Sequence, residues 1–157
     1  MSHPSVPSAA SVTLRRFRPS DIPFVSSIVG EALHEHYDPS LYESLSAPWP
    51  DGFLIAADPN DAPLGFLLGV SQRESEARVL MFAVDRHYRE RGVGSLLMDT
   101  FLDRCRRDMF RAVTLEVRVS NATAIRFYTR YRFSVLELLR GYYSDGENGY
   151  QMRRELP

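Results

Sequence analysis

The sequence predicts an α/β domain in which helices lie on the faces of a mixed β-sheet. Two observations support this class. Apolar stretches typical of strands occur between stretches in which apolar residues recur at helical spacing. The length of 157 residues, with 44% hydrophobic and 25% charged residues, suits one domain with a buried core. The predicted order of elements is β-α-α-β-β-β-α-β-α-β-β.

The chain begins this order with a strand and a helix. Residues Val12–Arg18 are predicted to form the strand. Ser20 or Asp21 can cap the helix, which has Pro23 in its first turn. The helix is recognised from apolar residues at helical spacing, which are Ile22, Val25, Ile28, Val29, Ala32 and Leu33.

The middle of the chain contributes a second helix and three strands. Part of the aromatic stretch His34–Pro50 is predicted to form a short helix. The strands Phe53–Ala57 and Leu64–Val70 follow, joined by a turn rich in Asp, Asn and Pro. The apolar run Val79–Val84 predicts a buried strand.

The last third of the chain alternates helices and strands. A long helix is predicted over Val93–Met109, followed by a strand over Ala112–Val119 with clean alternation of apolar and polar residues. Asn121 caps or precedes a short helix. Two final strands are predicted over Phe133–Leu139 and Tyr150–Arg154.

Composition excludes several classes of function. The Ser-, Pro- and Ala-rich residues 1–11 are expected to be a disordered tail without signal-peptide character, and residues 12–157 a single domain. No apolar run approaches the ~20 residues of a membrane span, so a cytoplasmic protein is expected. The net charge of −1 gives no reason to expect a nucleic-acid partner. All 19 basic residues are arginine, so no lysine can form a Schiff base.

The cysteine and histidine content argues against a metal cluster. Cys105 is the only cysteine, and it shares the apolar side of the long helix with Val93, Leu97, Phe101 and Met109. A buried, inert thiol is favoured there over a nucleophile. The pair His34 and His36 suggests a metal site, but no further ligands stand at a standard spacing.

The loop before the long helix is the strongest functional signal. It is basic, carrying Arg89 and Arg91, and it ends in Gly92-Val93-Gly94 where the helix begins. Free N–H groups at a helix start bind anions, glycines let a bulky anion approach, and guanidinium groups suit phosphate oxygens. The segment is a candidate pyrophosphate site, and the alternative is a basic surface turn.

Other phosphate-binding loops do not fit this segment. No Gly-Lys-Ser/Thr follows, which excludes a P-loop, and two glycines instead of three argue against a dinucleotide fingerprint. The spacing Arg89-x-x-Gly92-x-Gly94 resembles the acetyl-CoA loop of the GNAT family of N-acetyltransferases. The order of the predicted elements also matches that family, which implies a mixed, mostly antiparallel twisted sheet of about seven strands flanked by four helices.

The carboxyl half narrows the resemblance. Residues 115–128 are similar to the second CoA-binding segment of the RimI-type and archaeal Ard-type N-terminal acetyltransferases, Leu-Glu-Val-Arg-x-Ser-Asn-x-x-Ala-Ile-x-x-Tyr. Residues 142–152 resemble their closing hairpin, Tyr-Tyr-x-Asp-Gly-Glu-x-x-Tyr-x-Met. Two positions depart from the family: His34 replaces a Pro in the substrate loop, and Arg132 replaces the usual Gly before Phe133.

The resemblance implies a binding site for acetyl-CoA. Main-chain groups of Phe82 and Val84 would pair with the pantetheine arm, although both side chains are also ordinary core residues. The loop would hold the pyrophosphate, and Asn121 would contact the arm in addition to capping its helix. The implied cofactor residues are Phe82, Ala83, Val84, Arg89, Glu90, Arg91, Gly92, Val93, Gly94, Ser95, Asn121 and Tyr128.

Two catalytic residues follow from the resemblance. Tyr128 would protonate the departing thiolate, since a tyrosine is protonated at neutral pH; the alternative is a core tyrosine. Glu116 would assist deprotonation of the amine through water; the alternative is an ion pair with Arg118. The implied substrate residues are Leu33, Glu35, Tyr37, Tyr142 and Tyr143, which could equally form an aromatic loop packed on the domain.

Amine chemistry is consistent with a peptide N-terminus as substrate. An α-amine is neutral in roughly one molecule in seven at pH 7, whereas a lysine amine is neutral in about one in 2,500. Deprotonation therefore costs about 1 kcal/mol for an N-terminus and about 4–5 kcal/mol for lysine. A carboxylate and a water can cover the smaller cost.

The sequence thus predicts an enzyme that transfers acetyl from acetyl-CoA to the α-amino group of protein N-termini by direct attack in a ternary complex. Ribosomal proteins or nascent chains are candidate substrates. Three alternatives stay open: acetylation of a small-molecule amine such as a polyamine or aminoglycoside, a non-catalytic CoA-binding regulator, and a subunit that works with an auxiliary chain. Neither membrane nor direct nucleic-acid binding is expected, and the oligomeric state is not predicted.

Overall fold

A computed structural model describes residues 11–157, so residues 1–10 of the predicted tail lie outside the described residues. The helices are α1 Ile22–Ile28, α2 Ser40–Ser46, α3 Val93–Arg107 and α4 Ala122–Arg130. The strands are β1 Thr13–Arg16, β2 Phe53–Ala57, β3 Pro63–Arg73, β4 Glu76–Val84, β5 Ala112–Arg118, β6 Ser134–Leu139 and β7 Gly149–Glu155.

The strands form one seven-stranded sheet in the order β1-β2-β3-β4-β5-β7-β6. Every neighbouring pair is antiparallel except β4 and β5, which are parallel. A parallel pair of strands needs a crossover connection, which the basic loop after β4 and helix α3 supply. The predicted mixed sheet and the predicted order of elements are confirmed.

The sheet separates two hydrophobic cores. One lies against α3 and α4 and includes the fully buried residues Leu97 and Phe101. The other lies against α1 and α2 and includes the fully buried residues Tyr42 and Phe66. The strands in the middle of the sheet are therefore covered on both faces, as their continuous apolar sequences predict.

The first helix begins as predicted and ends irregularly. Asp21 is its N-cap, but the Asp21 carboxylate accepts from the backbone N–H of Arg18 at 2.8 Å and pairs with the Arg15 guanidinium at 2.8 Å. After α1, residues Val29–Leu33 form one turn of π-helix, and His34 stops it in a left-handed conformation with φ 55°. The predicted substrate residues Glu35 and Tyr37 follow this ending.

The end of α3 corrects one prediction. The helix stops at Arg107, and Met109 adopts φ 67° with its side chain 78% exposed, so Met109 does not share the apolar side of the helix. Phe110 instead packs on the core beside the Trp49 ring, at a centroid distance of 4.7 Å. Cys105 is buried as predicted, and burial raises the pKa of its thiol to about 12.

The described residues contain no membrane-spanning helix and no metal-binding group of side chains. Within residues 11–157, no helix is both long enough and apolar enough to cross a membrane. In the same residues, no group of three or more His, Cys, Asp or Glu side chains is arranged to hold a metal ion.

Candidate active site

The central feature of the site is a notch where β4 and β5 separate. These strands pair only over Glu76–Val79 and Ala112–Leu115. Beyond this point, residues 81–84 of β4 continue to pair with β3, and residues 116–118 of β5 continue to pair with β7, but the two segments do not pair with each other. The facing main-chain N–H and C=O groups are therefore available to a ligand.

A groove crosses this notch. It consists of two adjoining cavities of about 540 and 610 Å³, which share the residues Ala32, Leu33, Phe82, Asn121, Ala124 and Tyr128. The larger cavity extends toward the basic loop and is named the loop arm. The smaller cavity extends toward the β6–β7 hairpin and is named the hairpin arm.

The loop arm contains part of the predicted cofactor site. Gly92 is the N-cap of α3, and its φ of 84° suits glycine at this turn. Arg89 lines the arm and donates from Nε to the carbonyl of Val84 at 3.1 Å. Gly94, in the first turn of α3, also lines it, so the free amides of the helix start lie beside the cavity.

The structure brings only some of the predicted cofactor residues to the groove. The side chain of Val93 is buried in the core, and Ser95 contributes its carbonyl to a 3.1 Å hydrogen bond from Tyr131. Five residues that the sequence did not indicate also line the loop arm, namely Glu31, Ala32, Thr123, Ala124 and Phe127. The predicted residues that line it are Phe82, Ala83, Val84, Arg89, Gly94, Asn121 and Tyr128, whereas Glu90, Arg91, Gly92, Val93 and Ser95 do not.

Tyr128 lies where the two arms meet. Its ring packs against Phe82 and Phe133, with centroid distances of 6.4 and 5.8 Å. Burial raises the pKa of Tyr128, and the nearby Tyr143 adds to this effect, so the hydroxyl is protonated at neutral pH. Asn121 is the N-cap of α4, because its side-chain oxygen accepts from the N–H of Ala124 at 3.1 Å.

Glu116 lies in the hairpin arm, with its side chain only 13% exposed. Its carboxylate accepts from Nε of Arg78 at 3.1 Å, and Nη2 of Arg78 donates to the Tyr142 hydroxyl at 3.3 Å. The ion pair of Glu116 is thus formed with Arg78 and not with Arg118. Arg78 is a residue of the site that the sequence did not reveal.

Arg118 forms ion pairs with the loop of the β6–β7 hairpin. Its guanidinium pairs with Asp145 at 2.9 Å and Glu147 at 2.8 Å, and it lies 4.1 Å from the ring centre of Tyr143. Glu147 also accepts from the backbone N–H of Ser120 at 3.1 Å. These contacts hold Tyr143 at the wall of the hairpin arm, where burial raises its pKa to about 12.

The predicted substrate residues come from two separate loops that meet at the hairpin arm. Leu33, Glu35 and Tyr143 line the arm. The hydroxyl of Tyr37 donates to the Glu35 carboxylate, and burial together with this bond raises the pKa of Tyr37 to about 12. Tyr142 does not line the arm, but its ring stands edge-on to Tyr143 at a centroid distance of 5.0 Å.

Comparison with known proteins identifies the family. A model of the acetyltransferase (GNAT) family matches residues 22–133, which include both separating strands, the basic loop and α3. The chain belongs to the GNAT family. The predicted family, fold and acetyltransferase class are confirmed.

Relatives of this GNAT chain act at protein N-termini. It is 30% identical, over 148 residues, to the catalytic subunit NAA20 of the N-terminal acetyltransferase B complex of Arabidopsis thaliana, covering 92% of this chain and 85% of the relative. The crystal structure of Ard1 from Thermoplasma volcanium superposes with a TM-score of 0.89 and 41% identity, covering 94% and 99% of the two chains. Naa20 from Chaetomium thermophilum, solved with a bisubstrate analogue, gives a TM-score of 0.82 and 27% identity over 92% and 86%.

Proposed function

We propose that this chain transfers the acetyl group of acetyl-CoA to the α-amino group of protein N-termini. The observation that carries the proposal is the notch between β4 and β5, with a loop arm on one side and a hairpin arm on the other. A donor and an acceptor entering from opposite arms would meet at Tyr128. Direct attack in one ternary complex needs no covalent enzyme intermediate, which agrees with the buried position of Cys105.

The chemistry of the loop arm suits CoA. Gly94 and Arg89 line it at the start of α3, where the first amides of the helix are free. Amides at the start of α3 and the Arg89 guanidinium would bind the pyrophosphate oxygens. Unpaired amides of β4 near Phe82 and Val84 would bind the pantetheine arm. Acetyl-CoA supplies the acetyl group as an activated thioester.

The chain's own residues would supply the proton transfers. Arg78 would hold the Glu116 carboxylate in place, and Glu116 would take a proton from the attacking amine through a water molecule. Tyr128 would donate its hydroxyl proton to the sulfur of the leaving group, because its raised pKa keeps it protonated. A main-chain N–H near Phe82 would stabilise negative charge on the thioester oxygen.

The acceptor side supports a peptide more than a free small amine. The hairpin arm has walls from two loops, carrying Leu33 and Tyr143, and so offers contacts beyond the reacting amine. The name of the Arabidopsis relative, the catalytic subunit of an N-terminal acetyltransferase complex, agrees with a peptide acceptor. Ribosomal proteins and nascent chains remain candidate substrates, and residues 12–157 would act as one catalytic domain in the cytoplasm.

A peptide-library assay tests this function. The purified chain is incubated with acetyl-CoA and short peptides that vary in their first two residues, and acetylation is located by mass spectrometry. We expect acetylation of the free α-amine and none of matched peptides whose α-amine is blocked but which carry a lysine. Turnover of polyamines or aminoglycosides in the absence of any peptide turnover would overturn the proposal.

A second measurement separates an enzyme from a CoA-binding regulator. Tyr128→Phe removes the proton donor and keeps the ring that packs on Phe82. An enzyme loses turnover in this variant while it still binds CoA. A regulator would bind CoA equally in both forms and would give no product from any amine.

A further inference from the structure

A second cleft lies at the end of the sheet away from the groove. Its volume is about 520 Å³, and it is bounded by the end of α3, the α4–β6 turn and the last residues of β7. Glu155 at this cleft pairs with Ala112, the first residue of β5, whereas Arg118 ends β5 at the groove. Six residue steps of about 3.3 Å separate the two sites by roughly 20 Å.

The cleft is basic, and part of its charge is not neutralised. Four arginines line it: Arg106, Arg132, Arg153 and Arg154. Arg106 and Arg153 form ion pairs with neighbouring carboxylates. In the part of the chain that the structure describes, Arg132 and Arg154 form none. Unpaired guanidinium groups gathered in a concave site bind oxyanions.

Arg154 experiences direct repulsion in this arrangement. Its Nη1 donates to the carbonyl of Tyr131 at 3.0 Å, a neutral acceptor. Burial lowers the pKa of Arg154, and the positive charges of Arg106 and Arg132 lower it further. An anion in the cleft would replace this repulsion with attraction to all three guanidinium groups.

The backbone at Arg132 is strained. Arg132 has φ 65°, a left-handed conformation that is unfavourable for a residue with a Cβ and natural for glycine. An arginine at this position therefore carries a free-energy cost that glycine would avoid. Strain of this kind is a reason to look for a function at the site.

The cleft also presents an apolar side chain to a ligand. The pairing of β6 with β7 shifts register between Val135 and Glu137, which makes Leu136 the extra residue of a bulge. Leu136 lines the cleft and is 58% exposed. Bulges redirect side chains, and this one sets an apolar surface next to the arginines.

We infer that this cleft binds a small phosphorylated molecule. Arg132 and Arg154 hold the phosphate group, and Leu136 contacts the carbon skeleton. A small ligand fits better than a polynucleotide, because the net charge of the chain is −1.

Calorimetric titration of the chain with phenyl phosphate tests the inference. We expect a phenyl phosphate site that depends on Arg132, whereas phosphate bound at the α3 loop would not depend on it. Arg132→Gly should weaken binding at the cleft by about 10-fold or more, the loss of a charge-assisted contact. Because glycine suits φ 65°, the same variant should melt at an equal or higher temperature, so lost binding cannot reflect lost folding.

Matched variants complete the test. Arg126→Gln, on the exposed surface of α4 and outside the cleft, should bind phenyl phosphate like the original chain. Leu136→Ser should weaken phenyl phosphate but leave inorganic phosphate unchanged. Equal affinity in Arg132→Gly and Arg126→Gln overturns the inference, and so does affinity for single-stranded RNA that rises with its length above that of a mononucleotide.

Discussion

Gly94 is the position at which we expect a substitution to block CoA binding without disturbing the fold. Its Cβ would meet Phe82, Val84 and Phe127 at 3.6–3.9 Å, ordinary contact distances. Gly94→Ala should therefore fold normally and gain about 0.5–1 kcal/mol, because alanine is the better helix former. Gly94→Glu adds a carboxylate in the first turn of α3, where the helix dipole stabilises it by about 0.3–1 kcal/mol.

The same carboxylate should repel the cofactor. If the two charges of a pyrophosphate bind within about 5 Å of the new carboxylate, an effective dielectric constant of about 40 gives a repulsion of roughly 1.7 kcal/mol for each pair of charges. The sum of about 3 kcal/mol corresponds to a loss of more than 100-fold in CoA affinity. Binding and stability should thus change in opposite directions.

Two measurements on three proteins test whether CoA affinity and stability change in opposite directions. Calorimetry gives the Kd for CoA, and thermal unfolding without ligand gives the Tm, for the original chain, Gly94→Ala and Gly94→Glu. We expect Gly94→Glu to lose CoA affinity with an unchanged or higher Tm, and Gly94→Ala to lose far less. If Gly94→Glu binds CoA within about 3-fold of the original chain, the pyrophosphate does not lie at the start of α3.

Four further outcomes are expected. Tyr128→Phe should lower kcat by about 100-fold or more, the scale of general acid catalysis, with KM for both substrates nearly unchanged in steady-state assays. Arg78→Met should lower kcat/KM for peptides by about 10-fold, through loss of its ion pair with the predicted base, while calorimetry finds the same CoA affinity. Cys105, with its pKa raised to about 12, should react with iodoacetamide at pH 8 only after unfolding; rapid labelling of the folded chain would contradict its burial. The Arg16 guanidinium lowers the pKa of Asp51 in the folded chain, so this carboxylate stabilises the fold above pH ~4, and the effect is lost as the pH falls through the lowered pKa; Asp51→Asn should lower Tm at pH 7, and this difference should shrink steadily as the pH is lowered below about 4.

The sequence predicted the order of elements because local patterns determine it. Alternation in β5 and helical spacing in α3 depend on residues a few positions apart, and both elements lie within two residues of their predicted bounds. The exposed Met109 was missed because a single left-handed residue ends the helix, and helical spacing continues past that point in the sequence. Helix ends depend on backbone conformation, which periodicity does not record.

Contacts between distant strands were harder to predict. The Arg78–Glu116 pair joins residues 38 positions apart and depends on the parallel register of β4 and β5. It also depends on the start of β4, which lies at Glu76 instead of the predicted Val79, so that Arg78 belongs to the strand. If the predicted strand had begun directly after the turn that follows β3, it would have included Arg78. The side chains of Arg78 and Glu116 would then have been placed on one face of the sheet.

The separation of β4 and β5 has a practical consequence for inhibition. A compound with the amide spacing of an extended peptide could fill the gap by bonding to main-chain atoms of β4. Every residue except proline carries the same N–H and C=O groups, so substituting side chains along that strand would leave most of those bonds in place. Mutations that give resistance to such a compound would then have to move strand β4 itself. Strand β4 is held in place on its other side by its pairing with β3.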